Sequence, residues 1–242
     1  MKDELIILVH IGTSIESVLE NELKLLKNDI SDTSDADVVY AFSSLRSIRK
    51  LLAKGIKVNY FEDLIKETID KYKKIRVVPL HVVGGNNYEL IKSICLKYAD
   101  QNKIKLYKPI LQSAKYMQEL ASAISEIVSG EENILFIIHK TAKESLKFCE
   151  SFIEYYKNFN IQSSYICLND SLDKCLSLDS VTLFPLLMIS GYHVKKDIFD
   201  LEDSIYNTLV KNGVNTKVYN GGLLSHCSIR KIYCRMLSNG GK

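Results

Sequence analysis

The chain has 242 residues and a mass of 27.5 kDa, with 46% hydrophobic and 25% charged residues, a globular composition that excludes a disordered chain. A net charge of +3, with lysines spread along the chain, gives no basic block of the kind that binds nucleic acid. No apolar run reaches the roughly 18 residues of a membrane span.

In chain order, short continuous apolar runs alternate with amphipathic stretches. LIILVHI (5–11), VVYAF (38–42), IRVVPLHVV (75–83), ILFIIH (134–139), SSYICL (163–168) and VTLFPLLMI (181–189) predict buried parallel strands. The stretches 15–28, 87–100, 113–128, 143–158 and 200–213 carry apolar residues at helical spacing; in the first of them these are Val18, Leu19, Leu23 and Leu26. This alternation predicts a parallel α/β fold with right-handed crossovers. The sequence also repeats itself. Residues 5–28 resemble 134–158, and VVPLHVVGG (77–85) resembles LFPLLMISG (183–191). Two similar α/β lobes are therefore expected, 1–128 and 129–242, with the stretch 109–133 as connector and an active cleft between them. Ligands of open α/β sheets bind at the carboxyl ends of the strands.

The start, MKDELIILVHIGTS, has Asp3 and Glu4 where a secretory leader needs positive charge, so a cytoplasmic protein is expected. None of the six cysteines forms a C-x-x-C pair, which argues against a zinc knuckle and for free thiols in a reducing compartment.

All five histidines fall at or just past a predicted strand: His10, His81, His139, His193 and His226. Imidazole titrates near pH 6.5 and is the commonest transition-metal ligand, so histidines converging on one cleft point to metal binding, proton transfer, or both. His139 and His193 carry this reading best. His81, inside an apolar strand, reads equally well as a core histidine, and His10 and His226 read as polar loop-edge residues. No H-x-x-x-H or H-E-x-x-H pair is present, which excludes a zincin. Walker A, G-x-G-x-x-G and G-x-S-x-G are also absent, so no nucleotide is expected and a serine hydrolase of the elbow type is excluded. The turns at Gly12-Thr13-Ser14 and Gly84-Gly85-Asn86-Asn87 open helices whose amides can hold an anionic group, or are plain N-caps.

Five blocks in a fixed order carry a resemblance to a known family: IGTS (11–14), AFSSLRSIRKLL (41–52), VVPLHVVGGNNYELI (77–91), PILQSAKYMQEL (109–120) and PLLMISGYHVKKDIFDLEDSIYNTLVKNG (185–213). They resemble the anaerobic sirohydrochlorin cobaltochelatases, class II tetrapyrrole chelatases, almost end to end. That family reads F-G-T-S, A-F-T-S-R, Q-P-L-H-V-I-x-G-x-E-Y and P-L-M-L-V-A-G-D-H-x-x-N-D-M at four of these places. The resemblance implies ATP-independent insertion of a divalent metal into sirohydrochlorin for anaerobic cobalamin biosynthesis. The metal is a substrate, Co2+ above all, with Ni2+ or Fe2+ compatible. It also implies a chelatase fold of two similar lobes, with the macrocycle between them.

The family's metal site has two histidines and a glutamate. The histidines fall on His139, where G-H-G-T is IHKT here, and on His193 in GYHVKKD. The glutamate's place is taken by Cys167, unless Asp170 substitutes after a local shift. Cys167 is thus a third candidate metal ligand, of softer character. Lys140 replaces a family glycine, and Leu45 stands where the family has an arginine, with Arg46 adjacent. His139 is the expected acceptor of a pyrrole proton. The macrocycle's carboxylates would meet the helix-start turns at Thr13, Ser14, Ser43, Ser44, Gly85 and Asn86, with Arg46, Lys140 and Lys195 as charge partners. The alternative is a diverged tetrapyrrole- or metal-binding protein without chelatase activity, motivated by Cys167 and Lys140. A phosphate-ligand α/β enzyme is a third class. No nucleic-acid or membrane partner is expected, and a homo-oligomer is compatible with the sequence.

Overall fold

The computed structural model describes residues 2–98, 103–139, 143–159, 162–168, 170–192 and 194–238, with the side chain of Lys2 excepted. His193 and Lys140 therefore lie outside the described residues. The first half runs β1 (Lys2–His10), α1 (Glu16–Val18), a π-helical turn (Leu19–Leu23), α2 (Lys24–Ser31), β2 (Asp37–Phe42), α3 (Leu45–Leu52), β3 (Asn59–Tyr60), α4 (Phe61–Thr68), β4 (Tyr72–Pro79), α5 (Asn86–Lys97), β5 (Ile104–Leu106) and α6 (Ala114–Ile127). The second runs β6 (Ile134–Ile138), α7 (Lys143–Tyr156), β7 (Ser163–Cys167), β8 (Ser180–Pro185), a π-helical segment (Val194–Asp200), α8 (Ile205–Lys211), β9 (Asn215–Val218) and α9 (Cys227–Ser238).

Two all-parallel sheets result, ordered β3-β2-β1-β4-β5 and β7-β6-β8-β9. The protein is thus the α/β fold of two parallel sheets flanked by helices that the alternating pattern predicts. The central strands are apolar on both faces because helices cover both. In β1, Leu5, Ile7 and Val9 point into an outer cluster with Phe61, Ile65 and Ile91, while Ile6 and Leu8 point inward. In β6, Leu135 and Ile137 face Ile198 and Leu209, while Ile134, Phe136 and Ile138 point inward. The inward faces share one continuous core with Leu120 and Ile124 of α6 and Ile232, Tyr233 and Met236 of α9. Within it Phe136 meets Phe152, Tyr156 and Phe184 edge-on at 5.2, 5.1 and 5.7 Å between ring centroids.

The last helix returns to the first half. α9 packs on α2 and α6. Arg230 donates to Asp29 on α2 at 2.6 Å, and Arg76 on β4 donates to the carbonyl of Leu237 at 2.6 Å and to Glu4 at 2.5 Å. Both guanidinium groups are buried, so their pairing with carboxylates and carbonyls is what makes that burial tolerable.

The strands end earlier than their apolar runs. The expected strands 75–83 and 181–189 stop at Pro79 and Pro185. Beyond them the chain leaves the ladder. Leu80 and Leu186 each donate once more to the first strand of their sheet, and the carbonyls of His81 and Val82 then accept from Ile110 and Leu111. His81 therefore lies past a strand end rather than inside a strand. The expected helix 200–213 begins at Ile205, because Ser204 caps it by accepting the Asn207 N–H.

Candidate functional site

The ladder register relates the strand ends of the two sheets. Val9 pairs with Pro79 as Ile137 pairs with Pro185, and Leu80 donates to Val9 as Leu186 donates to Ile137. His10 pairs with Phe42 as Ile138 pairs with Cys167. The match of the two proline segments is thus in register. The apparent match of His10 with His139 is displaced by one residue: His10 corresponds to Ile138, and His139 corresponds to Ile11. One residue along a strand reverses the face. This explains why His10 points to the buried side and His139 is exposed.

His10 is buried at the end of β1, and its Nδ1 accepts the Gly12 N–H at 3.0 Å. In the neutral ring the proton therefore sits on Nε2. Gly12 has φ +128°, and a Cβ there would lie 2.5 Å from Cβ of Ser47, so only glycine fits this turn. The His81 ring lies 6.1 Å from the His10 ring at an interplanar angle of 29°. Both His81 ring nitrogens are shielded, and neither has a hydrogen-bond partner among the described residues. His139, from the other sheet, is close enough to act electrostatically on both. Burial first, then His81 and His139, push the His10 pKa well below its usual value. Burial first, then His139, lower His81 to about 4. At neutral pH the two N-terminal imidazoles are therefore uncharged, and an incoming cation meets no positive charge from them.

His226 lies elsewhere in the packing, stacked on Phe184 at 6.2 Å, and its pKa is lowered by burial and then by Arg230. The segment after β8 meets the first half of the chain through Ser190. Ser190 there is held by Glu22 of the π-helical turn, whose carboxylate accepts the Ser190 N–H and hydroxyl. Composition and motif reading miss Glu22. Its signal was present, because it falls on the apolar stripe of Val18, Leu19, Leu23 and Leu26, where a carboxylate needs a reason.

The family model for cobalt chelatase (CbiK) matches residues 4–240. The chain belongs to the cobalt chelatase family. No curated protein matches the sequence. Among solved structures, the sirohydrochlorin chelatase SirB from Bacillus subtilis subspecies spizizenii, crystallised with cobalt, superposes with a TM-score of 0.66 at 12% identity over 100% of this chain and 96% of that one. CbiX, described as the terminal enzyme of siroheme biosynthesis in denitrifying bacteria, gives 0.60 at 10% identity over 98% and 99% of the two chains. DR2241 from Deinococcus radiodurans, a multi-domain protein similar to chelatases, gives 0.61 at 12% identity over 96% of this chain and 54% of its own. At such identities these likenesses speak to the fold, which is that of the chelatases.

In this cobalt chelatase family member the remaining candidates fall in three places. Thr13, Ser14, Ser43 and Ser44 lie in adjoining turns, because Ser43 and Ser44 donate to the carbonyls of His10 and Ile11. Thr13 accepts the Ile15 N–H at 3.1 Å, Ser44 caps α3 through Ser47 at 3.4 Å, and the Ser14 carbonyl accepts from Lys54 at 3.2 Å. The Ser43 hydroxyl is buried and has no partner among the described residues. Gly85 and Asn86 open α5, whose first turn has no side-chain cap. Cys167 ends β7 with its side chain in the inward core, close enough to Cys149 to raise that thiol's pKa, which burial first drives up to about 12. The Asp170 carboxylate closes the turn after β7 by accepting the Cys167 N–H at 2.9 Å. Among the described residues no group of three or more His, Cys, Asp or Glu side chains is arranged to hold a metal ion. No described helix is long and apolar enough to cross a membrane.

Proposed function

We propose that this chain inserts a divalent metal, cobalt in the first instance, into a sirohydrochlorin-type tetrapyrrole without a nucleotide, as a cytoplasmic step of anaerobic cobalamin synthesis. His139 and His193 are the proposed metal ligands. The observation that carries the reading is the meeting of His10 and His81, from one sheet, with His139, from the other, at the strand ends of a cobalt chelatase family member.

Insertion exchanges water and imidazole ligands of the ion for four ring nitrogens, while two pyrrole N–H protons leave. Imidazole is a base suited to accepting such a proton, and this is the role proposed for His139, which is exposed. Neutral His10 and His81 keep the approach uncharged as the cation arrives. The turns at Thr13, Ser14, Ser43, Ser44, Gly85 and Asn86 are proposed to meet the carboxylates of the macrocycle through backbone amides and hydroxyls.

A second reading, binding without acceleration, is favoured by one observation: Cys167, at the place of the family's carboxylate, lies buried in the apolar core beside Cys149. Anaerobic absorbance of sirohydrochlorin with Co2+, with and without the protein, separates the two. Acceleration over the spontaneous rate supports the chelatase. Macrocycle binding with no acceleration supports the second reading.

A further inference from the structure

The small net charge of +3 hides one local excess. Residues 38–61 contain no aspartate or glutamate, and they carry the cations Arg46, Arg49, Lys50, Lys54 and Lys57, all exposed. Arg46, Arg49 and Lys50 lie on α3 at helical spacing and so share one face of it.

α3 is pinned along the turn between β1 and α1. At its start Ser44 donates its N–H to the Ile11 carbonyl at 3.0 Å. In its first turn, a Cβ at Gly12 would lie 2.5 Å from Cβ of Ser47, so helix and turn touch there. Past its end, the Lys54 ammonium reaches the Ser14 carbonyl at 3.2 Å and Glu16 at 3.1 Å. Arg46, Lys50 and Lys54 are four residues apart, so they form one row along the helix, and its last member touches the turn. That turn carries Thr13 and Ser14 and follows His10, which is stacked near His81.

The row is unfavourable for the helix taken alone. Arg46 with Lys50, and Lys50 with Lys54, are like charges one turn apart, which repel. Arg46 stands in the first turn, where the helix dipole disfavours a cation, although the same dipole suits Arg49 and Lys50 in the last turn. Lys54 is compensated by Glu16. Arg46, Arg49 and Lys50 have no carboxylate partner among the described residues. Exposed cations held together without counter-charge, beside turns lined by hydroxyls and amides, make a surface for a polyanion. The ring substrate proposed above carries carboxylates around its edge, whereas its metal is a cation. Neutral His10 and His81 leave the path of the cation uncharged, and the positive potential stands to one side, on α3.

We propose that Arg49 and Lys50, with Arg46, form the surface on which the carboxylate edge of the tetrapyrrole first lands, raising its concentration at the strand-end turns. The inference rests on the tetrapyrrole reading above and extends it to residues outside those turns.

The test uses the full chain with sirohydrochlorin as the probe. Binding is read from absorbance under anaerobic conditions at about 50 and about 300 mM NaCl, which bracket strong and weak screening. The variants are Lys50→Gln, Arg49→Glu combined with Lys50→Glu, and a control of equal charge change, Lys66→Glu combined with Lys71→Glu. Lys66 and Lys71 are exposed near the start of β4, away from the strand carboxyl ends. The charge reversal on α3 is expected to raise the macrocycle Kd about tenfold or more at the lower salt and about threefold or less at the higher. Its KM for the macrocycle should follow Kd, with kcat at saturation within about twofold of wild type. Lys50→Gln, which ends two like-charge contacts, should raise Kd about threefold at the lower salt while Tm holds or rises, and it decides the matter if the double variant does not fold. Wild-type affinity and salt dependence in the charge-reversed protein overturn the capture surface and leave the chelatase reading standing. An equal loss in the Lys66→Glu, Lys71→Glu control overturns it as well, because net charge alone then acts. So does a loss that salt does not reduce. Absence of macrocycle binding by the wild-type chain overturns the tetrapyrrole reading, and this inference with it.

Discussion

The two sheets end in the same way and do different things with the ends. In the first, the last residue of β1 points inward, so His10 is buried, tied to Gly12 and stacked near His81. In the second, the equivalent residue is Ile138, and the histidine comes one position later, exposed. A shift of one residue separates a buried imidazole from an exposed one. The segments after β4 and β8 differ in the same sense. Gly84 packs on the Gln112 side chain, whereas Ser190 is gripped by a buried carboxylate and by the backbone at Gly222. Two sheets of matching register thus carry the proposed chemistry on one side and its support on the other.

The largest expected effect breaks this asymmetry at the proposed ligand. Counting from Pro79 and Pro185, His193 corresponds to Asn87 in the first half. His193→Asn should slow insertion at least about 100-fold, and Asn87→His added to it should not restore the rate, because Ile11 occupies the place of His139 in the first half. Recovery of the rate in the double variant would mean that the halves are interchangeable.

A second prediction compares the two segments through their glycines. Gly222→Ala drives a Cβ into backbone atoms that have no room to move, and should cost about 2–4 kcal/mol in chemical denaturation. Gly84→Ala meets only the far end of the Gln112 side chain at 2.8 Å, which swings aside at a cost below about 1 kcal/mol. Equal losses would contradict the account of a rigid second segment and a yielding first one.

The third prediction concerns pH. His81 has a folded pKa of about 4 against a usual value of 6.5. Between these values the unfolded chain takes up a proton that the folded chain refuses, so the stability contribution is complete above pH 6.5 and is lost as pH falls toward 4. Burial of His10 acts in the same direction. His81→Gln should flatten the acid limb of the stability curve by on the order of 2 kcal/mol. An acid limb that persists in His81→Gln would show that the buried pair is not its source.

The smallest effect lies beside the buried carboxylate of Glu22. Glu20 pairs with Lys24 at 2.7 Å on the exposed face of the helix that buries Glu22. Glu20→Gln should change stability by less than about 0.5 kcal/mol, as exposed pairs one helical turn apart do. A larger loss would remove the contrast with Glu22.

Much of this was legible in the sequence. The continuous apolar runs gave β1, β2, β4, β6, β7 and β8; central strands covered on both faces have no polar side to interrupt them, whereas β7 is a partly exposed edge strand and not the buried one expected. The edge strands β3, β5 and β9 were not legible: they have two to four residues, too few to show a period. The helices α3, α4 and α9 escaped for a related reason, since their apolar positions sit among many charges and their burial comes from the partner element. The π-helical turn was not legible, because Val18, Leu19, Leu23 and Leu26 stand at ordinary helical spacing across it and no residue type marks the wider turn.

At the site, the five family blocks named the fold and one of them carried His193, while the separate match of IHKT to the family's G-H-G-T pointed to His139. The inward turn of His10 and the convergence of His81 with it were not readable, since both depend on where the ladder stops. The apparent repeat matched His10 to His139 by residue identity, and only hydrogen-bond register revealed the one-residue displacement. Glu22 could have been found by asking why a carboxylate sits on an apolar stripe. Its partner, far along the chain, could not.

The central claim is that imidazoles from both sheets frame one metal-insertion site with His139 as its exposed member. The most direct measurement is the anaerobic rate of Co2+ insertion into sirohydrochlorin by wild type and by His139→Ala, followed by absorbance at pH 7. A fall to the spontaneous rate, with the variant folded and still binding the macrocycle, is the predicted result; a variant that works at the wild-type rate would contradict the account.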